Sequence, residues 1–332
     1  MARNFRIYAS WKVGVSALKK AIVTGATGFI GKFLVQKLVH EKVDIIAVVR
    51  KGSKKIAELT SFPIRIVECN IADFYLLPEL IVDRDIDVLF HLAWQGVSDM
   101  DAKNEAVQIQ NLISTLSLID AAKQMSIPTF VGAGSVHEAE AILEMKENKV
   151  VSNLRYMYKT AKLAAHWMGK AKAGSMGIHF FWPMLNTYGE EENSNRLINM
   201  LIRKMIMGEE PALSEGSQYY DFVHVVDVAC ALYLIAENGK DGSNYFIGSG
   251  NAKPLKEFLE EAGKIVNKMT GKPPISLGFG KIKSGVVKLP KEIFEVKNLM
   301  EDTGFRPTIS FEDGIIRTVS YIQQQEENEK EM

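Results

Sequence analysis

Cysteine is nearly absent: the 332 residues hold two, Cys69 and Cys230. Two thiols cannot staple a small secreted fold, and such scarcity fits a reducing cytosol. Net charge is absent as well, with 40 basic residues against 40 acidic ones. No broad field is left to recruit nucleic acid or an anionic membrane. No apolar run reaches the ~18 residues that a membrane span needs. The six histidines show no metal-ligand spacing, and His137-Glu138 cannot open a zinc-protease motif, because Ala141 stands where its second histidine belongs. The chain is therefore expected in the cytoplasm, with no nucleic acid, membrane or metal partner. Residues 1–19 are basic and lack both the apolar core and the small-residue exit of a signal peptide, so they read as an extension ahead of the first strand. Residues 323–332 form a polar tail, expected to fray into solvent.

What is present begins with an alternation of two periods. Residues 21–24, 44–49, 64–68, 87–92, 128–133 and 177–182 read as short apolar strands. Between them Phe29, Ile30, Phe33, Leu34 and Leu38 recur at helical spacing, and residues 102–125 and 154–173 read as longer helices. Strands separated by helices imply parallel pairing, since a parallel partner needs a crossover. The expected fold class is α/β, a doubly wound parallel sheet of Rossmann type. Past Trp182 the elements shorten and turn residues multiply. Residues 222–226 and 245–247 read as strands there, and 255–269 and 311–323 as helices. This predicts a cofactor domain over 20–182, to which 223–247 return, and a smaller C-terminal α/β substrate lobe built from 183–222 and 248–322.

The first βα turn is Thr24-Gly25-Ala26-Thr27-Gly28-Phe29-Ile30-Gly31. Gly25 permits a tight turn, Gly28 lets backbone approach a pyrophosphate, and Gly31 lets helix and sheet close on each other. Amides at the helix start would face the anion, helped by the helix dipole. The end of the second strand distinguishes dinucleotides: an acid there suits a ribose hydroxyl, an arginine a 2′-phosphate. The chain reads Val49-Arg50-Lys51-Gly52-Ser53-Lys54-Lys55, four cations and no acid. NADP(H) is favoured, with NAD(H) as the alternative.

Tyr158 and Lys162 stand four residues apart, on one helix face. An ammonium beside a phenol would favour the phenolate, and such a tyrosine can move a proton while a nicotinamide moves a hydride. Tyr8 and Lys12 share the spacing but precede the cradle. Ser135, just past the fifth strand, can hydrogen-bond the same substrate oxygen.

These residues together resemble the extended short-chain dehydrogenase/reductase family, in particular its nucleotide-sugar epimerases, dehydratases and ketoreductases. The similarity runs from about residue 20 to 321 and includes further motifs. Asn70-Ile71 resembles the adenine-side Asp-Ile/Leu, and His91-Leu92-Ala93 resembles H-L-A after the fourth strand. Asn111 and Thr115 are similar to N-x-x-x-T. Asn186-Thr187-Tyr188-Gly189 is similar to N-x-Y-G, whose asparagine touches substrate phosphates, and residues 221–229 are similar to D-F-x-H-V-x-D-V-A. The resemblance implies Ser135, Tyr158 and Lys162 as catalytic residues. It implies cofactor contacts from Gly25, Thr27, Gly28, Phe29, Ile30, Gly31, Arg50, Asn70, Ile71, Leu92, Ala93, Tyr158 and Lys162, a nucleotide-sugar substrate, and a homodimer packed through the helices at 102–125 and 154–173.

The departures bear on the reaction. Val136-His137 follow Ser135 where the 4,6-dehydratases carry Asp-Glu, and Glu138 comes one place late. Pro183 and Tyr220 stand where many members carry arginine, and Arg196 can supply the missing charge to a diphosphate. The expected enzyme exchanges a hydride at a sugar ring carbon, C4 foremost, as an epimerase or ketoreductase. The alternatives are a 4,6-dehydratase, or a non-catalytic NADP-binding regulatory protein.

Overall fold

A computed structural model describes residues 17–97, 101–147, 154, 156–282 and 287–331. Most of the N-terminal extension, with Tyr8 and Lys12, lies outside the described residues. The strands β1 (Lys20–Thr24), β2 (Asp44–Val49), β3 (Arg65–Glu68), β4 (Val88–His91), β5 (Thr129–Gly132) and β6 (His179–Phe181) form one sheet in the order β3-β2-β1-β4-β5-β6. Every pairing in it is parallel. The order reverses between β1 and β4, which opens a crevice at their carboxyl ends. The central strands are buried on both faces, Ala21, Ile22 and Val23 completely. Hence they read as unbroken apolar runs rather than as alternation.

The helices are α1 (Phe29–His40), α2 (Leu77–Leu80), α3 (Glu105–Gln124), α4 (His137–Lys146), α5 (Tyr156–Ser175), α6 (Leu197–Ile206), α7 (Val225–Asn238), α8 (Leu255–Thr270), α9 (Lys297–Thr303) and α10 (Phe311–Glu331). One sheet face packs against Phe33, Leu34 and Leu38 of α1 and Val228, Ala229 and Leu232 of α7. The other packs against Leu118, Ile119 and Ala122 of α3 and Ala165 and Ala173 of α5. A separate core joins α6, α8 and α10 through Leu201, Ile202, Phe258, Leu259, Ile315 and Val319. Two carboxylates tie this helical region to the sheet. Asp221 accepts from the Ser249 and Gly250 amides, and Asp227 from the amides of Thr308 and Ile309 and the Thr308 hydroxyl.

Three expectations change. The strand read at 222–226 is only Val223–His224, paired with Thr187–Tyr188, and α7 starts at Val225. Its valines suggest a strand, but His224 caps the helix by accepting from the Val226 amide and Asp227 sits in the first turn. Second, α10 continues through Glu331, past the point where the polar tail was expected to fray, because Gln, Glu and Lys are good helix formers. Third, α2, α4, α6 and α9 form in stretches to which the sequence reading assigned no element.

Candidate active site

The cradle is built from backbone. Gly25 has φ +71°, and a Cβ there would lie 2.6 Å from the Ala93 nitrogen, so the turn rests directly on Leu92-Ala93. A Cβ on Gly31 would overlap the Gly25 carbonyl oxygen. Gly28 precedes α1 without a side-chain cap, and no acid lies in the first turn. The first helical bond runs from the Lys32 amide to the Gly28 oxygen. The amides of Phe29, Ile30 and Gly31 therefore have no acceptor within the helix, and with Thr27 in the same turn they make a seat for an anion. These residues fit a dinucleotide pyrophosphate. Beside the cradle, Arg50 is exposed at the end of β2. The Lys51 amide donates to Asn70 Oδ1 (3.3 Å) and the Gly52 amide to Glu68 Oε2 (2.8 Å), which brings Arg50 and Asn70-Ile71 to one edge.

Beneath the crevice His91 is a structural link. Its Nδ1 lies 3.0 Å from the Thr24 hydroxyl and its Nε2 3.0 Å from the Thr115 hydroxyl. Burial, with Lys162 nearby, pushes it down to about 3, so it stays neutral. Asn111 holds the loop after β4, accepting from the Gln95 amide (2.9 Å) and donating to its carbonyl (2.8 Å).

Ser135, Tyr158 and Lys162 converge here. The Ser135 hydroxyl lies close enough to the Tyr158 hydroxyl to pull its pKa downward. Lys162 differs from its expected role: its Nζ donates to the Ala133 carbonyl (2.8 Å) and lies 3.7 Å from the Trp94 ring centre. The phenol is accordingly not acidified. Burial raises Tyr158 above the ordinary tyrosine value, against the opposing pull of Arg196 and Ser135. Burial also lowers Lys162 to about 7, with Glu138 working against it and Arg196 adding to it. Between about pH 7 and the ordinary lysine value the unfolded chain binds a proton that the folded chain releases, so stability rises with pH across that window. Relative to Lys162→Met, the wild-type melting temperature should climb from about pH 7 to about pH 9. A gap that stays constant would contradict the lowered value.

Two neighbours, Trp94 and Trp182, were not singled out as site residues in the sequence. Trp94 and Trp182 flank Lys162, and Trp94 meets the Tyr158 ring edge-on at 6.3 Å. Glu138 is buried and fully engaged: it accepts from the Ser135 amide (2.7 Å) and Trp182 Nε1 (3.2 Å) and pairs with His166 (2.9 Å). The spacing of Ser135 and Glu138 is that of a capping box, a signal that could have located α4. His137 and Glu140 stand one step further along α4. On the opposite wall, Arg196 precedes α6, 5.9 Å from the Phe29 ring and within electrostatic reach of Tyr158 and Lys162. Asn186 Nδ2 is buried with no partner among the described residues. Of these two expected substrate residues, Arg196 lies within electrostatic reach of the catalytic groups while pairing with Glu192, and Asn186 carries a buried donor with no partner among the described residues.

A family model described as the NAD dependent epimerase/dehydratase family matches residues 21–248. The dTDP-glucose 4,6-dehydratase of Haemophilus influenzae is 23% identical over 330 residues, covering 90% of this chain and 96% of that protein. A putative UDP-glucose 4-epimerase of Methanocaldococcus jannaschii is 27% identical over 313 residues, covering 91% and 97%. Among solved structures, the UDP-glucose 4-epimerase of Thermotoga maritima with UDP-glucose shares the fold at a TM-score of 0.74 and 23% identity, over 92% of this chain and 99% of that one. Bordetella bronchiseptica WbmF with NAD+ shares it at 0.71 and 20%, over 97% and 96%.

Proposed function

The chain belongs to the NAD-dependent epimerase/dehydratase family, and from that premise we propose that it is a nucleotide-sugar epimerase or ketoreductase acting at a ring carbon, C4 foremost. The observation that carries this reading is the convergence of the Ser135 and Tyr158 hydroxyls, with Lys162 held nearby on the Ala133 carbonyl, at the same sheet edge as the anion seat. A bound nicotinamide would take up or return the hydride at that carbon. Tyr158, kept as a neutral phenol by burial, donates its proton to the carbonyl oxygen as reduction proceeds and takes one from the hydroxyl in the reverse direction. Ser135 holds the same oxygen by a second hydrogen bond. Asn186 and Arg196 supply a donor and a cation for the substrate diphosphate.

Glu138 weighs against dehydration. Its carboxylate is consumed by Ser135, Trp182 and His166 and is not presented to a leaving hydroxyl. Ile109 and Ile113 on α3 and Trp167 and Met168 on α5 are large apolar side chains left exposed on two helices that pack together, which supports a homodimer through these helices.

NADP(H) is the proposed dinucleotide, on the ground that Arg50 occupies the end of β2, where the chain itself carries cations and no acid, although Glu68 of the neighbouring strand lies at the same edge. Arg50→Ala should cost about tenfold in NADP(H) affinity, the loss of a charge-assisted bond to phosphate, and leave NAD(H) little changed. Equal losses in titration calorimetry would remove the ground for this choice. The reaction itself is tested by incubating the protein with UDP- and dTDP-linked hexoses and their 4-keto derivatives, with each dinucleotide in turn. Appearance of a C4 epimer by NMR, or oxidation of NADPH by a keto sugar, is expected; neither, across the set, would overturn the reading.

A further inference from the structure

The helix that carries Tyr158 and Lys162 has a second stripe. Leu163, His166, Trp167 and Lys170 recur at helical spacing along α5 and form one wall of a separate cavity. Facing them, α4 supplies Ile142, Leu143 and Lys146, and the chain ahead of α9 supplies Leu289 and Ile293. The cavity measures about 640 Å³, within the range of small-molecule sites. None of Ser135, Tyr158, Lys162, Asn186 and Arg196 lines it. His166 stands between it and the catalytic groups, its Nδ1 paired with Glu138 (2.9 Å) and its ring stacked on Trp182 at 6.4 Å.

The charges in this groove are unbalanced. Helices α4 and α5 run antiparallel, since Glu138 meets His166 while Glu144 meets Lys159. Lys170 and Lys146 therefore stand at opposite ends, with Ile142, Leu143 and Leu163 between them. Lys170 Nζ donates to neutral oxygens, the Gly242 carbonyl (3.0 Å) and Asn244 Oδ1 (3.2 Å), and no carboxylate pairs with it among the described residues. An ammonium has three donors, so one is left over, and Asn244 Nδ2 is a second donor beside it. The acid in the lining is Glu138, and its oxygens are already taken by Ser135, Trp182 and His166. An apolar trough thus ends on a cation that lacks a counterion.

We infer that this groove binds a free carboxylate with a flexible apolar tail, of the fatty-acid type. The acid group lies on Lys170 and Asn244, and the tail runs along Leu163, Ile142, Leu143 and Leu289. Charge complementarity selects an anion, since a cationic head would meet the unpaired ammonium. The trough selects the tail, since a ligand polar throughout would strand its hydrogen-bonding groups against apolar walls. The occupant is a single molecule rather than a bilayer, because the walls lie between two helices. Trp167 borders the groove and also belongs to the face offered above to a second copy, which makes that copy the rival occupant. The inference does not depend on the reaction proposed above.

The test is calorimetry on the full chain with hexanoate, octanoate and decanoate. One site per chain is expected, tightening about tenfold with each pair of added methylenes as the tail is buried. Lys170→Met should weaken decanoate about tenfold, while octanol, an uncharged tail, binds it and the wild type alike. Ile142→Glu, at a position already 46% exposed, should keep the melting temperature and abolish binding of both. With 13C-methyl methionine, decanoate should shift the signal of Met184, which lines the groove, and not that of Met205 in the separate helical core. No binding of any acid, affinity indifferent to tail length, or equal decanoate affinity in wild type and Lys170→Met would overturn the inference. If Lys170→Met fails to fold, retained binding in Ile142→Glu or an unmoved Met184 signal overturns it instead. A dimer that Ile142→Glu splits, in a protein that binds no acid, would give the groove to the second copy and likewise overturn it.

Discussion

Tyr158→Phe should lower turnover by about 10²- to 10⁴-fold, the contribution of a placed proton donor, and change dinucleotide affinity by no more than about twofold. The reason lies in what the substitution keeps. The ring stays, and with it the edge-on contacts to Trp94 and His137. The cradle amides belong to a different helix. Only the hydroxyl beside Ser135 is lost, and Ser135 cannot replace it. It reaches the same oxygen, but a serine hydroxyl is too weak an acid to surrender its proton near neutral pH. Steady-state rates combined with calorimetric dinucleotide binding decide the matter. Full turnover in the variant would remove Tyr158 from the chemistry, and a parallel collapse of binding would show that the residue merely supports the fold.

Gly31→Ala should destabilise the protein by about 3 kcal/mol, at the upper end for overpacking, and weaken dinucleotide binding severely. The added methyl would overlap the Gly25 oxygen and press on Ala26, both main-chain groups. Neither can yield alone, because Gly25 is already in contact with the Leu92-Ala93 backbone on its other side. To relieve the overlap α1 must tilt away, and the amides of Phe29 and Ile30 move with it. Urea unfolding and dinucleotide titration should therefore fail together. Normal stability with normal binding would mean that the close approach of helix and turn is not required.

The sheet was legible because its central strands are buried on both faces and written as unbroken apolar runs, and because glycines at 25, 28 and 31 have a backbone reason to be there. Tyr158, Lys162 and Ser135 were legible from order along the chain. Their electrostatics were not. The sequence places an ammonium beside a phenol; the fold inserts Trp94, from the loop after β4, against that ammonium and brings up Trp182 from the end of β6. Those tryptophans stand 68 and 20 residues from Lys162, beyond any local spacing rule. Nor was α7 legible. Its opening valines have strand propensity, and what decides for the helix is the apolar face it lays against α1 and the grip of Asp227 on residues 308–309. Likewise His137 looks like a stray imidazole until Glu140 and Tyr220 are seen behind it, the latter arriving from 80 residues away.

The indole of Trp94 and that of Trp182 lie within van der Waals or near-van der Waals range of the very groups a ligand must approach, whereas Trp167 lies outside on α5, two-thirds exposed. The protein consequently carries a built-in optical gauge. Light emitted by the two inner indoles should change when the crevice fills, against a background from Trp167 and from Trp11, which lies outside the described residues, so occupancy can be followed without attaching a dye.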